Sequence, residues 1–280
     1  MTGSMTSKPA RPRFPLKLQQ MRGAPRGAAD ATELLRPQRP LRDAAQHAAR
    51  HAASSHTPSG IGMDSSAVRL RMVDRLRASG VAHESVLAAF AAVPRHLFVD
   101  SALAAQAYED TSLPIGWEQT ISKPSVVARM LCLLFDGHSA RLRGTLGRTL
   151  EIGTGCGYQA ALLSLLSSRV LSIERIKPLH DKARENLRDW RGHDIRLVFG
   201  DGRHGHPPNA PYDSIIAAAG GDDVPAAWTD QLAEGGRLIA PTHDAASRGQ
   251  TLLVIDKRDG LLHSRSLDAV HFVPLKSGTE

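Results

Sequence analysis

The run Glu151-Ile152-Gly153-Thr154-Gly155-Cys156-Gly157 carries the clearest chemical signal in the chain. It follows a short apolar stretch and opens a helical pattern, the setting in which a glycine run holds a ligand. Glycine lets the backbone turn tightly and come close to a bound group. The helix behind it presents unpaired N–H groups. The spacing is Gly-x-Gly-x-Gly, whereas the dinucleotide fingerprint Gly-x-Gly-x-x-Gly would need glycine where Tyr158 stands. Glu151 would sit badly beside a pyrophosphate but suits the ammonium of an amino-acid moiety. Any tight strand-to-helix turn can also be Gly-rich, so the run needs support.

Two further acids supply it. Glu174 closes the next apolar stretch, where an acceptor can take both hydroxyls of a ribose. Gly200-Asp201-Gly202 closes the third, where a short acid between glycines can take an adenine amino group. Either alone reads equally as a solvated strand end or an Asp-Gly turn. Together they occupy the carboxyl ends of adjacent strands, the crevice where open α/β sheets bind ligands. The combination points to S-adenosyl-L-methionine rather than a nicotinamide dinucleotide. Glu151, Gly153, Thr154, Gly155, Gly157, Glu174, Asp201 and Gly202 are its expected binding residues. No metal site is expected, because Cys132 and Cys156 make neither a ligand cluster nor a disulfide framework.

The elements that must position these residues follow from periodicity. Val68, Leu70, Met72, Val73 and Leu76 predict an amphipathic helix that Gly80 stops. Ser85–Phe90 reads as a second helix, ended before Pro94. Leu103–Ala107 reads as a helical turn, Tyr108–Pro124 as a loop, and Ser125–Phe135 as helix. From Gly147 onward strands and helices alternate. Strands are expected at Thr149–Ile152, Val170–Ile173, Ile195–Val198, Ser214–Ala218, Arg237–Ala240, Gln250–Asp256 and Ala269–Val273. Helices are expected at Gln159–Leu166, Pro178–Trp190 and Val224–Leu232. Such alternation predicts a Rossmann-like α/β fold, a mostly parallel sheet with helices on both faces. The hairpin-like Lys257–Gly260 predicts an antiparallel C-terminal edge.

Charge divides the chain in two. The whole carries a net +7, but residues 1–60 hold 10 Lys/Arg against 3 Asp/Glu, leaving 25 of each beyond them. The basicity therefore belongs to a segment rich in Ala, Arg and Pro. Such a segment buries too little apolar surface to offset its ordering entropy. Residues 1–62 are accordingly expected to be a disordered extension, with a transit peptide or a start at Met63 as alternatives. Residues 63–280 form the expected catalytic domain, with a helical part at 63–135 and the Rossmann-like core at 148–280. A neutral core with only 4% aromatic residues offers no nucleic-acid platform. No run approaches the roughly 18 apolar residues that span a bilayer. A cytoplasmic monomer with neither nucleic-acid nor membrane partners is expected.

Beyond these readings, the sequence resembles the protein-L-isoaspartate (D-aspartate) O-methyltransferases from about residue 66 to 275. The resemblance rests on Leu150–Ala160, Val93-Pro94-Arg95-His96-Leu97-Phe98-Val99, Ala107–Asp110, Leu113–Gly116, Ser172–Arg175, Gly200–Gly202, Pro211–Ile216, Gly235–Leu238 and Phe272-Val273-Pro274-Leu275. Its most distinctive block is Gln119-Thr120-Ile121-Ser122 followed by Pro124.

The resemblance implies methylation of the free carboxylate of isoaspartyl and D-aspartyl residues in damaged proteins. The resulting ester collapses to a succinimide that can reopen as normal aspartate. It places the active-site serine at Ser122, with Thr120, Ile121, Lys123 and Val273 around the substrate. Lys123, Trp117 and Gly220-Gly221 depart from the family's usual residues and bear on substrate range. A related methyltransferase with another acceptor, and a catalytically weak cofactor-binding homologue, are the competing readings.

Overall fold

A computed structural model describes residues 66–190, 194–244 and 249–280. The expected extension, residues 1–62, lies outside the described residues, as does Met63.

The helical part begins with α1 (Ser66–Ala78), which buries Met72, Val73 and Leu76 and exposes Arg71, Arg75 and Arg77. Helix α2 (Glu84–Ala92) buries Val86, Leu87, Ala89 and Phe90, and Val93 adopts the extended backbone that Pro94 demands. Two 3-10 turns follow at Arg95–Phe98 and Ser101–Gln106.

The segment expected to be loop contains a hairpin of β1 (Leu113–Gly116) and β2 (Gln119–Ile121). Its tip residues Trp117 and Glu118 have φ of 49° and 56°, a conformation that hairpin turns usually give to Asn or Gly. The customary residues are absent from the two tip positions, and Gly116 beside them, at φ 95°, marks a break in the sequence without marking a hairpin. Helix α3 (Pro124–Phe135) opens on the proline that suits a first helical turn. The short α4 (His138–Arg143) closes at Gly144 in the left-handed conformation.

The core sheet comprises β3 (Arg148–Ile152), β4 (Arg169–Glu174), β5 (Ile195–Phe199), β6 (Tyr212–Ala217), β7 (Leu232–Asp244), β8 (Gly249–Arg258) and β9 (Leu261–Val270). Their order is β5-β4-β3-β6-β7-β8-β9, parallel through β7 and antiparallel across the last two pairs. Between them lie α5 (Tyr158–Ser164), α6 (Lys177–Asn186) and α7 (Ala226–Asp230).

Register sorts the core by face. Leu150 pairs with Leu171 and Ile215, and Ile215 with Leu238, forming a row buried on one side. Ile216 and Ile239 alternate to the other side, beneath the helical part. Each such buried aliphatic side chain contributes about 1.5–3 kcal/mol.

The last strand differs from expectation. It runs Leu261–Val270, not Ala269–Val273, directly after a turn with Asp259 and Gly260 at positive φ. It is an edge strand with most residues exposed, so it lacks the apolar run that marks a buried strand.

Candidate active site

The glycine run joins β3 to α5, and its geometry explains its composition. Gly153, Gly155 and Gly157 have φ of 89°, 56° and 91°, values that disfavour side chains. The Gly153 N–H donates to Ile173 O at 2.9 Å, pinning the turn to β4. Glu174, buried at the end of β4, accepts the Gly155 N–H at 2.8 Å and the Ile176 N–H at 2.9 Å.

Glu151 occupies a different layer. It is fully buried, and Ser172 Oγ donates to its carboxyl group, while Ser172 and Thr154 share a hydroxyl contact of 2.6 Å. Burial pushes its carboxyl group up to about 8. Hydrogen bonding from Ser172 and Gln159 works the other way without overcoming desolvation.

An open cleft runs over the carboxyl ends of β3, β4 and β6, lined by apolar side chains with a few polar groups among them, the make-up of a small-molecule site. Gly153, Thr154, Gly155, Glu174 and Gly202 line it, as do Thr120, Ile121, Ser122 and Val273. Thus nine of the residues expected from sequence meet around one space.

The remaining four stand elsewhere. Glu151 lies beneath the loop, and Gly157 caps α5, where an added Cβ would stand 3.0 Å from Leu187 Cδ1. Lys123 lines an adjoining groove with Ser122, Val126, His271 and Phe272. Asp201 caps the short turn after β5 by accepting the Arg203 N–H at 2.8 Å, and also accepts the Gly278 N–H at 2.6 Å. Desolvation acts upward on Asp201, but those two N–H groups outweigh it and hold the carboxyl group below its ordinary value.

Other lining residues were given no site role from the sequence. Gln119, Arg175 and Ile176 sit beside expected residues, and Leu275 and Lys276 extend past Val273. The segment after β9 is clasped across the cleft, with the Gly220 N–H donating to Val273 O at 2.8 Å and the Leu275 N–H to Gly220 O at 2.7 Å. Arg175 Nε donates to Gly278 O at 2.9 Å. Gln119, Arg175 and Leu275 fall within motifs that carry the family resemblance, whereas only adjacency to predicted residues would have exposed Ile176 and Lys276.

The donor set fits S-adenosyl-L-methionine. The glycines leave the loop backbone open to a ligand, and Gly155 admits Ile115 from the hairpin, whose Cδ1 would lie 3.1 Å from an added Cβ. Glu174 offers carboxylate lone pairs at the cleft wall. Apolar Ile152, Ile173, Leu179 and Ala218 line the remainder. The hairpin is further tied to α6, where Lys182 Nζ donates to Ile115 O at 3.4 Å.

Comparison with known proteins identifies the family. The family model described as protein-L-isoaspartate(D-aspartate) O-methyltransferase matches residues 67–280. A protein-L-isoaspartate O-methyltransferase of Methylibium petroleiphilum is 59% identical over 99% of this chain and 100% of its own length. Its counterpart in Leptothrix cholodnii is 55% identical over 99% and 98% respectively. Among solved structures, a protein-L-isoaspartate O-methyltransferase aligns with a TM-score of 0.66 at 30% identity, over 75% of this chain and 66% of that one. A putative homologue from Plasmodium falciparum, solved with S-adenosyl-L-homocysteine, shares the fold at 24% identity and a TM-score of 0.62, over 74% and 98%. The chain belongs to the protein-L-isoaspartate(D-aspartate) O-methyltransferase family.

Proposed function

We propose that this chain methylates the free carboxylate of L-isoaspartyl and D-aspartyl residues in damaged proteins, and that Ser122 orients that carboxylate at the mouth of the cofactor cleft. The observation that carries the reading is the convergence of the Gln119–Ser122 block and the glycine loop on one cleft. S-adenosyl-L-methionine, when bound, supplies an electrophilic methyl group on a sulfonium.

A carboxylate with a pKa near 4 is already ionised at neutral pH, so the acceptor needs no general base. The protein's task is alignment and exclusion of water. Gly153, Thr154, Gly155, Glu174 and Gly202 hold the cofactor in this reading, with Gly157 capping the helix behind them. Glu151 braces the loop from below through Ser172 and Thr154, and Asp201 holds the segment after β9 across the adenine side. Thr120, Ile121 and Val273 bound the acceptor, and Lys123 flanks it in the adjoining groove. Residues 63–280 form the catalytic unit. It acts as a cytoplasmic monomer without nucleic-acid or membrane partners; no helix among the described residues is long and apolar enough to cross a membrane.

Transfer of a tritiated methyl group to an isoaspartyl peptide, but not to its aspartyl twin, is the expected result. Equal labelling of both would contradict the substrate assignment. A Ser122→Ala substitution should depress kcat far more than it weakens cofactor binding. Loss of cofactor binding alone would remove Ser122 from the role given to it.

A further inference from the structure

Arg95 is fully buried and its cationic head points at the back of the acceptor site. Its Nε donates to Ala107 O at 2.7 Å, and its Nη2 donates to Ser122 O at 2.9 Å and Thr111 O at 3.4 Å. The guanidinium also lies 4.9 Å from the ring centroid of Tyr158, the first residue of α5. Every one of these partners is a carbonyl or a ring. No carboxylate among the described residues makes an ion pair with Arg95; Asp110, a nearby acid, instead accepts from Ser125 N and Ser125 Oγ at 2.9 and 2.7 Å.

A buried charge without a counter-charge is costly and calls for a reason. A guanidinium cannot relieve the cost by losing its proton. The substrate of the proposed reaction supplies a reason, because it brings a carboxylate to Ser122.

The peptide bond after Ser122 shows how the charge is delivered. Among the described residues the only cis peptide is Ala210–Pro211, so Ser122–Lys123 is trans. In a trans peptide the C=O and the N–H point in opposite directions. Arg95 holds the Ser122 carbonyl inward, which turns the Lys123 N–H away from Arg95. That N–H has no acceptor among the described residues, and Ser122 and Lys123 together line the groove beside the cleft.

We infer that Arg95 is a positioning residue that recognises the substrate's negative charge from behind, fixing the Ser122–Lys123 peptide so that its N–H and the Ser122 hydroxyl meet the isoaspartyl carboxylate. The role rests on the proposed substrate. It makes Arg95 the counter-charge of the Michaelis complex, with no contact to the reacting atoms. It also links the acceptor site to the cofactor loop, since the same guanidinium stacks on Tyr158 next to Gly157.

The test compares two peptides that differ only in charge: an isoaspartyl peptide and the same peptide with its free carboxylate replaced by a carboxamide. Their affinities are measured in the presence of S-adenosyl-L-homocysteine, so that no turnover occurs. The wild type should prefer the carboxylate, and Arg95→Gln should reduce that preference by at least about tenfold, since two charges about 10 Å apart still attract on that scale at an effective dielectric of about 20. Arg95→Lys keeps the charge but loses the planar fork, so the preference should persist while kcat falls. Circular dichroism and S-adenosyl-L-homocysteine affinity establish that each variant is folded.

A purely structural arginine would lower both peptide affinities together and leave their ratio alone; that outcome overturns the inference. Should Arg95→Gln fail to fold, a folded Arg95→Lys that has lost the preference overturns it equally. If the wild type binds neither peptide, the substrate reading falls and the role of Arg95 with it. A wild-type preference that Arg95→Gln leaves unchanged removes Arg95 alone.

Discussion

Glu174 and Gly155 stand 19 residues apart and are joined by a single hydrogen bond, from the Gly155 N–H to Glu174 Oε2. The other carboxylate oxygen accepts the Ile176 N–H, so one side chain braces the cofactor loop and the turn after β4 together. Hydrogen bonds to a charged group contribute about 1.5–3 kcal/mol each. Glu174→Gln places an amide donor against one of those N–H groups while keeping the side chain's size. Cofactor affinity should fall at least about tenfold, read by calorimetric titration with S-adenosyl-L-homocysteine. An unchanged dissociation constant would sink the assignment.

Two glycines of the site differ in what they forbid. Gly155→Ala meets both a φ of +56° and Ile115 Cδ1 at 3.1 Å, but that methyl is the mobile end of a side chain. The backbone conformation then dominates, at about 1–2 kcal/mol. Gly202 has no positive φ, yet its Cβ would stand 2.6 Å from Ile152 Cγ2, attached at the branched carbon of a residue buried in β3. Overpacking of this kind costs about 1–3 kcal/mol. Thermal denaturation should rank Gly202→Ala at least as damaging as Gly155→Ala. Gly155→Ala should be the worse of the two for cofactor affinity, because it reshapes the loop itself.

How much of this was legible in the sequence depends on whether a residue's neighbours are local. The glycine loop, Glu174 and the parallel strands announce themselves through spacing and apolar runs, and the structure places them where those signals point. The β1–β2 hairpin stayed hidden because Trp117 and Glu118 take positive φ without the residues that normally mark such a turn. Strand β9 stayed hidden because an exposed edge needs no apolar run. Arg95 appeared in a recognisable motif, but its contacts with Ala107, Thr111 and Ser122 are set by the packing of two 3-10 turns against a hairpin. Asp201 illustrates the reverse: its position was legible, while its engagement with Gly278, 77 residues away, was not.

The buried carboxyl group of Glu151 makes stability depend on pH in a predictable direction. Burial raises its pKa to about 8 from an ordinary value near 4.5. Below the ordinary value the group is protonated whether the chain is folded or not, and its full contribution is present. As pH rises toward 8 the unfolded chain releases a proton that the folded chain retains, so stability falls across that window. The loss amounts to a few kcal/mol at most. Glu151→Gln cannot titrate and should flatten this slope in urea denaturation between pH 5 and pH 8, becoming the more stable protein at the upper end. A parallel pair of pH profiles would show that Glu151 ionises normally and that its burial is compensated.

The Arg237–Asp256 pair predicts the opposite response at the acid end. These residues face each other across β7 and β8, and both oxygens of Asp256 accept from the guanidinium, at 2.7 and 2.8 Å. Arg237 Nη1 also donates to Leu133 O at 2.7 Å, tying the sheet to α3. Desolvation pushes the Asp256 carboxyl group up, but the hydrogen bonds and charge of Arg237 outweigh it and hold the pKa below the ordinary carboxylate value. A depressed pKa gives stability that is present above the unfolded value, near 4, and lost as pH falls through the folded one. Asp256→Asn should therefore remove part of the acid-denaturation limb. It should also cost about 3–5 kcal/mol at neutral pH, because it leaves Arg237 buried without its counter-charge. Replacing both residues by apolar ones should recover much of that loss, since the pair's desolvation cost disappears with its attraction. A double variant no more stable than Asp256→Asn would show that the Arg237 bond to Leu133 O, which ties β7 to α3, matters more than the ion pair between β7 and β8.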